Sequence, residues 1–573
     1  MVLAASWGNA MTTEKDIRER VLRRWNRLKV EREPYVAQWL EVSRHITPAS
    51  GRFLDVKSRK NEARDRWNKI YDSTAVRAAN ILQAGLMSGM TDPSSQWFAL
   101  TTGSPDLDES HAVKMWLDDV QRIMEMAFTQ TNIYQALQHT WREVGVYGIG
   151  AFVIVEDPVY SFVAHPLVCG EYCIGCDFRG RPDTLYRRFT MTAGQLVTRY
   201  GRSKVSKAVL TNYDDGHVDA PFVCIHAIEP RFERDPNKLD NRNMPWRSVV
   251  IQVDHDEDAS GVLDESGYRD FPAVVGRWGA SASDVYSEES PGIVAIGDVL
   301  QLGHHQVQKG NAIDYMVNPP LIMPADARDN EVDFLPGGRS YIDNPGSGNQ
   351  VQPAFNVTLP LGDLREDIAD VRNRINQAFN VDLFMMIANA GHGQMTATEV
   401  AERHEEKLMM LGPVLSRLNE EVLRPLIERC FDILARQGQL PPPPEELRGQ
   451  KLSVEYTSML ARSQRAIRAN SLDQFVNRVM QAAQVNPNIL QKVNVFNLVD
   501  EYADYFSVAP SVVVPTDEAQ AAIEQQQQAQ AQQMQAQQMQ QSADALSKLG
   551  RVPADDSTMA GQAVKGIASM AQQ

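Results

Sequence analysis

The chain lacks the motifs of the common nucleotide-driven and hydrolytic enzymes. Its 573 residues contain no phosphate-binding loop of the form GxxxxGKS/T, no GxSxG nucleophile turn and no HExxH zinc motif. The glycine-rich stretch Gly145–Gly150 follows a helical segment and precedes a strand pattern, whereas a dinucleotide-binding loop requires the strand first. No catalytic residues and no cofactor are therefore predicted.

Cysteine and long apolar runs are also scarce. An odd, sparse set of thiols does not form a disulfide framework, and it favours synthesis in a reducing cytosol. The five are Cys169, Cys173, Cys176, Cys224 and Cys430. No apolar run reaches the roughly 18 residues that span a bilayer, so no membrane partner is expected. The first ten residues do not resemble a signal peptide, and either Met1 or Met11 fits as the start.

Positive charge is in deficit, with 57 Lys and Arg against 73 Asp and Glu and a net charge of −16. This balance argues against tight, sequence-independent binding of nucleic acid, which relies on cations that neutralise phosphates. It leaves open a polymer that slides past the protein without being held.

Two clusters are candidates for metal binding. Cys169, Cys173 and Cys176, with Cys224 and His226 as further ligands, contain thiols that Zn²⁺ binds, but the spacing is irregular and the segment also fits a strand. The acidic run 254–258 lacks the spaced ligands of a calcium loop and fits the tip of a hairpin. We favour the structural interpretation in both cases.

The pattern of apolar residues predicts an α+β, mainly helical protein. Residues 12–150 are predicted to be mostly helical, with an apolar stripe through Ile17, Val21, Trp25 and Leu28 and a short strand over 94–100. The β-branched runs within 146–280 predict an antiparallel sheet. Further helices are expected over 463–484 and 487–506, beyond the stiff spacer Pro441–Pro444. The Gln-rich segment 516–545 has helix-forming residues but almost no apolar stripe, so we expect it to pack against copies of itself.

The segment 290–436 has an unusual plan. Ser290 and Pro291 begin a helix that ends near Val317, a compact Pro/Gly-rich insert follows, and a second helix starts near Leu361. A glycine loop and a capping box at 396–399 then lead into a very long helix ending near Arg436. Two helices joined in this way form a narrow stalk that buries little surface, which indicates a ring or bundle of subunits.

The glycine loop around Gly391 has two interpretations. It is either a simple connector between helices or a mobile loop on a pore wall, where Asn389, His392 and Gln394 would touch a passing polymer. These polar side chains are suited to guiding a backbone without gripping it.

Several short segments follow one another in an informative order. They are Ala75–Pro93 with Trp97–Phe98, Gly170–Tyr172, Arg179–Arg187, Ser290–Pro291, Asn318–Pro320 and Met395–Val400. In this order, over about residues 12–510, the sequence resembles the portal proteins, or head-to-tail connectors, of short-tailed bacteriophages. The cysteine cluster is not part of the family's pattern.

The resemblance implies a dodecameric ring at one capsid vertex of the virion, with a central channel for double-stranded DNA. Assembly would take place in the host cytoplasm with scaffolding and major capsid proteins. The large subunit of a separate terminase would supply ATP hydrolysis, and tail adaptor and nozzle proteins would bind afterwards. Internal core or ejection proteins are further expected partners.

The resemblance also implies a division of the chain into the parts of a portal subunit. These are a wing (1–289), first stem helix (290–320), clip (321–360), second stem helix (361–383), channel loop (384–396), long kinked wing helix (397–436), crown (437–515), barrel helix (516–548) and flexible end (549–573).

Positive charge in such a channel is expected in sparse rings. The candidates are Lys309, Arg328, Arg339, Arg365, Arg372 and Arg374. For Arg372 and Arg374 we favour ion pairs with Asp363, Glu366 or Asp370, of this or the next subunit, over contact with DNA. Two other functions remain open: a metal-dependent hydrolase that uses the clusters above, and a non-viral scaffold that oligomerises through the Gln-rich tail.

Overall fold

The computed structural model describes residues 14–50, 67–104, 107, 110–238, 240–254, 261–280, 284–317, 321–322, 352–353, 361–389, 411–447, 453–456, 472–484, 492–505, 508, 512–514 and 516–549. These residues have a mixed α+β, mainly helical structure, as the sequence predicts. The chain divides into two compact units, one of residues 1–103 and 119–463 and one of residues 104–118 and 464–573.

The N-terminal part is helical, as predicted for residues 12–150. Its helices are α1 (Glu14–His45), α2 (Thr74–Met90), α3 (His111–Gln130) and α4 (Ile133–Tyr147). Helix α4 ends at Gly148, whose φ of 81° is the left-handed conformation that glycine adopts without a steric penalty. The glycine-rich stretch therefore links a helix to a strand, the reverse of a dinucleotide-binding loop.

Two antiparallel sheets confirm the sheet predicted within 146–280. A three-stranded sheet has the order β3-β2-β9, and a five-stranded sheet has the order β4-β5-β6-β7-β8. The strands are β2 (Ile149–Asp157), β3 (Ser161–Leu167), β4 (Tyr172–Cys176), β5 (Pro182–Thr192), β6 (Pro221–Pro230), β7 (Trp246–Gln252), β8 (Val262–Tyr268) and β9 (Ala273–Arg277). The acidic run 254–258 connects the antiparallel strands β7 and β8, but beyond Asp254 it lies outside the described residues.

Helices cover both faces of the five-stranded sheet. The predicted stripe on α1, which includes Val21 and Leu28, packs on Tyr186, Ile225 and Ile251. The opposite face is covered by α5 (Ala193–Tyr200) and α6 (Lys207–Asp214). A capping box between Thr192 and Gln195 starts α5, and the side chain of Ser206 caps α6. The alternating apolar residues of the strands are buried in this way on both sides.

The strand predicted over 94–100 is shorter and lies at Phe98–Thr101 (β1). It pairs with β12 (Ser453–Tyr456), more than 350 positions away in sequence. The pairing fixes residues beyond the long helix against the N-terminal part of the chain.

The segment 290–436 begins with α7 (Pro291–Val317), which matches the predicted first helix. The two described ends of the insert form an antiparallel pair, β10 (Leu321–Ile322) and β11 (Gln352–Pro353). Helices α8 (Leu361–Ala378) and α9 (Val381–Asn389) follow, then helical residues 411–418, a π-helical turn (Asn419–Leu423) and α10 (Arg424–Arg436). The predicted capping box at 396–399 lies outside the described residues.

The second unit contains helical residues 472–484, α11 (Val495–Tyr505) and α12 (Thr516–Leu549). The helix predicted over 487–506 begins only at Val495, where Asn494 accepts a hydrogen bond from the backbone of Phe496 (3.1 Å). The Gln-rich segment is helical, and its side chains from Ala521 to Ser542 are all exposed. No helix in the described part of the chain is long and apolar enough to cross a membrane.

A buried carboxyl group in α4 makes the stability of the fold depend on pH. Glu143 is 1% exposed, and one of its carboxylate oxygens accepts a hydrogen bond from the Cys169 amide at 2.8 Å. Burial raises the pKa of Glu143 to about 7, although Cys169 and Arg142 lower it. The folded protein therefore keeps a proton that the unfolded chain releases, and this contribution is full below pH 4.5 and lost as the pH rises through about 7.

We expect Glu143→Gln to remove this dependence. Between about pH 4 and pH 8, the free energy of unfolding of the wild type should fall relative to that of the variant by up to about 3 kcal/mol. Denaturant unfolding at a series of pH values measures the difference. Glu19→Gln, at an exposed position of α1, is the matched control and should give a constant difference. A constant difference for Glu143→Gln as well would contradict the assignment.

Candidate functional site

The first turn of helix α7 is hydrogen-bonded to the rest of the subunit, whereas the last turns of the helix lie outside the packed core. The Ser290 hydroxyl accepts a hydrogen bond from the Ile293 amide (3.1 Å) and donates one to the Val146 carbonyl of α4 (3.0 Å). Six residues between Pro291 and Leu302 are buried, but beyond Leu302 only Ala312 is. The second half of α7 therefore extends away from the packed core, with apolar side chains such as Met316 and Val317 exposed.

Helix α8 runs antiparallel to α7 and packs against it. Its buried side chains, Ile368, Val371 and Ile375, repeat at steps of three and four, and Phe379 continues this spacing just past the end of the helix. Polar bridges join the two helices. His305 Nδ1 lies 2.9 Å from a carboxylate oxygen of Asp367, and Arg374 Nε lies 3.0 Å from one of Asp298. The pair is thus held by an apolar seam and by cross-helix polar contacts.

Arg372 is held by a carboxylate at the start of α2. Its guanidinium lies 2.7 Å from Asp72 Oδ2, and the Gln306 amide donates to the same oxygen at 2.9 Å. The other oxygen of Asp72 accepts a hydrogen bond from the amide of Thr74, the first residue of α2, at 2.9 Å. Burial raises the pKa of Asp72, but the hydrogen bonds from Thr74 and Arg372 outweigh it and leave the pKa below its usual value. One ionised carboxylate therefore ties α2, α7 and α8 together.

These contacts test the predicted ion pairs. Arg374 does pair with Asp370, at 3.0 Å. Within the subunit, Arg372 pairs instead with Asp72, which lies 300 positions away and is brought to α8 by the packing of α2. Arg365 is exposed and Lys309 is half-buried; within the described residues neither has a carboxylate in ion-pair contact.

The predicted second helix does not continue to residue 383. It ends at Ala378, and Asn380, with a φ of 53°, turns the chain into α9. Asparagine is one of the few residues that adopt this left-handed conformation readily. The loop predicted to start at 384 is helical as far as Asn389, and Phe384 packs on α2 at Gly85, where a Cβ atom would collide with the ring.

Several candidate residues lie outside the described residues: Arg328, Arg339, His392 and Gln394. Asn389 is the last residue of α9, and only its backbone is described.

The structure does not assemble the predicted cysteine cluster. Cys173 packs against α1 on one face of the five-stranded sheet, whereas Cys224 packs under α5 and α6 on the other. His226 Nε2 contacts the Ser248 hydroxyl at 2.9 Å. Burial raises the pKa of Cys173 and of Cys176 to about 11 and that of Cys169 well above its usual value, so all three remain thiols. No group of three or more potential ligands in the described ranges is placed to hold a metal ion.

Comparison with known proteins identifies the family. The model of the family described as bacteriophage head to tail connecting protein matches residues 18–514. The chain belongs to this family.

Two curated relatives of this connector are portal proteins of phages. The chain is 45% identical over 539 residues to the probable portal protein of Bordetella phage BPP-1 and 38% identical over 539 residues to the portal protein of Salmonella phage epsilon15. Each alignment covers 94% of this chain and 96% of the relative. A chain from the virion of a native gene transfer agent particle aligns with 70% of the connector and 95% of its own length, at 11% identity and a TM-score of 0.27, a likeness too slight to bear on the fold.

The membership gives the protein the structural role of a bacteriophage head-to-tail connector. Sequence reasoning missed the carboxylates that hold the arginines, Asp72 and Asp298. The only local signal was the position of Asp72, two residues before the start of α2, where a negative charge is favourable for the helix dipole.

Proposed function

We propose that this connector forms a ring at one capsid vertex, through which double-stranded DNA enters the head and later leaves it. The α7–α8 pair is the observation that carries the proposal. It extends from a packed base, and the arginines expected to face DNA are engaged by carboxylates of the same subunit. In a ring, copies of this pair would surround the axis.

Symmetry would cover surfaces that one subunit leaves exposed. Ile313, Met316 and Val317 at the end of α7 are 41%, 46% and 74% exposed. None of the described side chains of α12 between Ala521 and Ser542 is buried within its own subunit. A helix with no buried face is marginal in water, so neighbouring copies are the natural source of its packing. We propose that α12 contributes to a helical barrel.

The charge of the α7–α8 pair favours the passage of DNA through the channel over tight binding of DNA to it. The two helices carry six carboxylates and four cationic side chains, and two of the cations are in ion pairs. Each free cation that neutralises a phosphate releases counterions and adds affinity, so paired arginines reduce the hold on DNA. Lys309 and Arg365 remain the candidates for sparse rings of positive charge.

The remaining parts are proposed by position in the chain. Residues 1–289 would form the wing and 321–360 the clip that faces terminase and then the tail adaptor and nozzle. The channel loop, with His392 and Gln394, would follow the end of α9. Residues 437–515 would form the crown, where internal core or ejection proteins would approach. Scaffolding and major capsid proteins would surround the wing.

Imaging of the purified protein by electron microscopy tests the proposal. We expect end-on views of rings with a central opening, both for the full chain and for a chain ending at residue 515. Rings that require residues 516–573 would place oligomerisation in the tail and count against a ring built by the α7–α8 pair.

A further inference from the structure

A cleft of about 600 Å³ opens beside β5 and α5, far in sequence from the α7–α8 pair. Its walls carry two arginines, Arg187 and Arg199, and two apolar side chains, Phe189 and Met191. Gln195 and Thr198 of α5 complete the rim. The cleft therefore combines positive charge with an apolar floor.

The cleft exists because β4 is shorter than β5. The pairing of β4 with β5 reaches Tyr172 opposite Arg187, and the Arg188 amide donates to the Glu171 carbonyl at 2.9 Å. From Phe189 to Thr192, the pairing found within the described sheet is with β6 alone. The capping box at Thr192 then turns the chain into α5, which leaves an open notch along this part of β5.

Two arginines and two histidines lie close together around this cleft. Burial lowers the pKa of Arg187, and Arg199 lowers it further, while Glu171 raises it. Burial also lowers the pKa values of His165 and His226, and both arginines add to that effect. Two carboxylates act on this region: the charge of Glu171 raises the pKa of Arg187, and the charge of Asp264 raises the pKa of Tyr200. Like charges held this close repel each other unless an anion lies between them.

The hydrogen bonding of Arg187 points in the same direction. Its guanidinium lies over the ring of Phe189, 4.7 Å from the ring centroid. Its Nε is buried and has no hydrogen-bond partner within the described structure. The buried Nε is closed to a ligand, so a bound carboxylate would contact the terminal nitrogens of the guanidinium, for which the described structure shows no hydrogen-bond partner.

We propose that this cleft binds an acidic, partly apolar peptide segment of a partner protein, with carboxylates on Arg187 and Arg199 and an apolar side chain on Phe189 and Met191. The apolar floor favours a peptide over the phosphate backbone of DNA, which has no apolar group to place there. The site is independent of the proposed channel.

Fluorescence anisotropy with the full-length protein tests the site. The probe is a fluorescein-labelled octapeptide of alternating glutamate and leucine, compared with the same peptide carrying glutamine for glutamate and with a labelled duplex DNA. Arg199→Gln should weaken binding of the acidic peptide by about tenfold or more. The glutamine peptide should bind the wild-type protein more weakly than the acidic peptide does, by a similar factor. Arg199 is exposed, so this variant should fold normally; Arg187→Gln is the second test.

Arg202→Gln is the matched control, since Arg202 is an exposed arginine that pairs with Asp214 at 2.7 Å outside the cleft. It should change binding by less than about twofold. Equal affinity across all variants, no binding of the acidic peptide, or displacement of the peptide by the duplex would each overturn the proposal. Rings that form normally while the peptide fails to bind would refute this site and leave the proposed channel intact.

Discussion

Replacing Glu421 with alanine is expected to destabilise the junction between β9 and the long helix by about 3–5 kcal/mol. Glu421 lies in the π-helical turn before α10, and one of its oxygens is 2.6 Å from the Arg277 guanidinium, whose side chain is 4% exposed. Removing one partner leaves a buried charge without compensation, which costs far more than the net value of the pair.

Arg277 joins four parts of the chain. Besides Glu421, its guanidinium donates to the Gly180 carbonyl at 2.7 Å and to the Asp284 carbonyl at 2.9 Å. The Arg277 backbone amide also donates to Glu421, at 3.1 Å. Burial lowers the pKa of Arg277, but the hydrogen bonds and charge of Glu421 raise it above its usual value. The pair therefore fixes β9 against the π-helical turn and against the turn between β4 and β5.

Hydrogen exchange measures this loss locally, which avoids treating a chain of several parts as a two-state folder. Amides of β9 and of residues 411–436 should lose protection in Glu421→Ala. Glu420→Ala is the matched control, because Glu420 is 45% exposed and pairs with Arg424 at 2.8 Å on the helix surface. That variant should lose less than about 1 kcal/mol. Equal losses for the two variants would show that the buried pair is not what holds the junction.

The second large effect is expected at Gly292, in the first turn of α7. A Cβ atom there would collide with backbone atoms of Val146 in α4, which no change of side-chain rotamer relieves. Gly292→Ala should therefore cost about 3 kcal/mol or more and displace the base of α7. Because α7 is the helix proposed to surround the channel, fewer rings should form at a given protein concentration.

Gly297→Ala tests the same change five residues later in the same helix. Gly297 is exposed and has no atom within 4 Å of its would-be Cβ. Alanine should stabilise α7 here by up to about 1 kcal/mol, since glycine is the poorer helix former. Thermal unfolding at equal protein concentration should thus move in opposite directions for the two variants. If both variants shifted the unfolding temperature by the same amount in the same direction, the close contact of Gly292 with Val146 would not explain the effect.

Local chemistry explains what the sequence could predict. The start of α7 follows from a capping serine and a proline, and the α1 stripe follows from spacing along one helix face. The break at Asn380 was missed because the apolar stripe continues across it, through Phe379 into Val381, and a single asparagine is a weak turn signal. A π-helical turn (Asn419–Leu423) lies within the segment 397–436 that was expected to be a long kinked helix, and Pro425 follows it by two positions.

Tertiary contacts account for what the sequence could not predict. Arg372 meets Asp72 and Arg277 meets Glu421 across 300 and 144 positions, and no local pattern selects one carboxylate among many over such separations. The basic cleft likewise depends on where β4 stops pairing, which is decided by the sheet and not by the β4 sequence. The DNA-channel candidates remain predictions, and two of them, Arg372 and Arg374, have carboxylate partners that reduce their availability to DNA.

The position of the α7–α8 pair in the assembled particle tests the central claim most directly. Cryo-electron microscopy of the purified protein should show a closed ring in which α7 and α8 of every subunit surround an opening wide enough for a DNA duplex. Arg372 should remain on Asp72 and Arg374 on Asp298 and Asp370, turned to their own subunit. A closed ring with these two helices on its outer rim, or particles without an axial opening, would contradict the account.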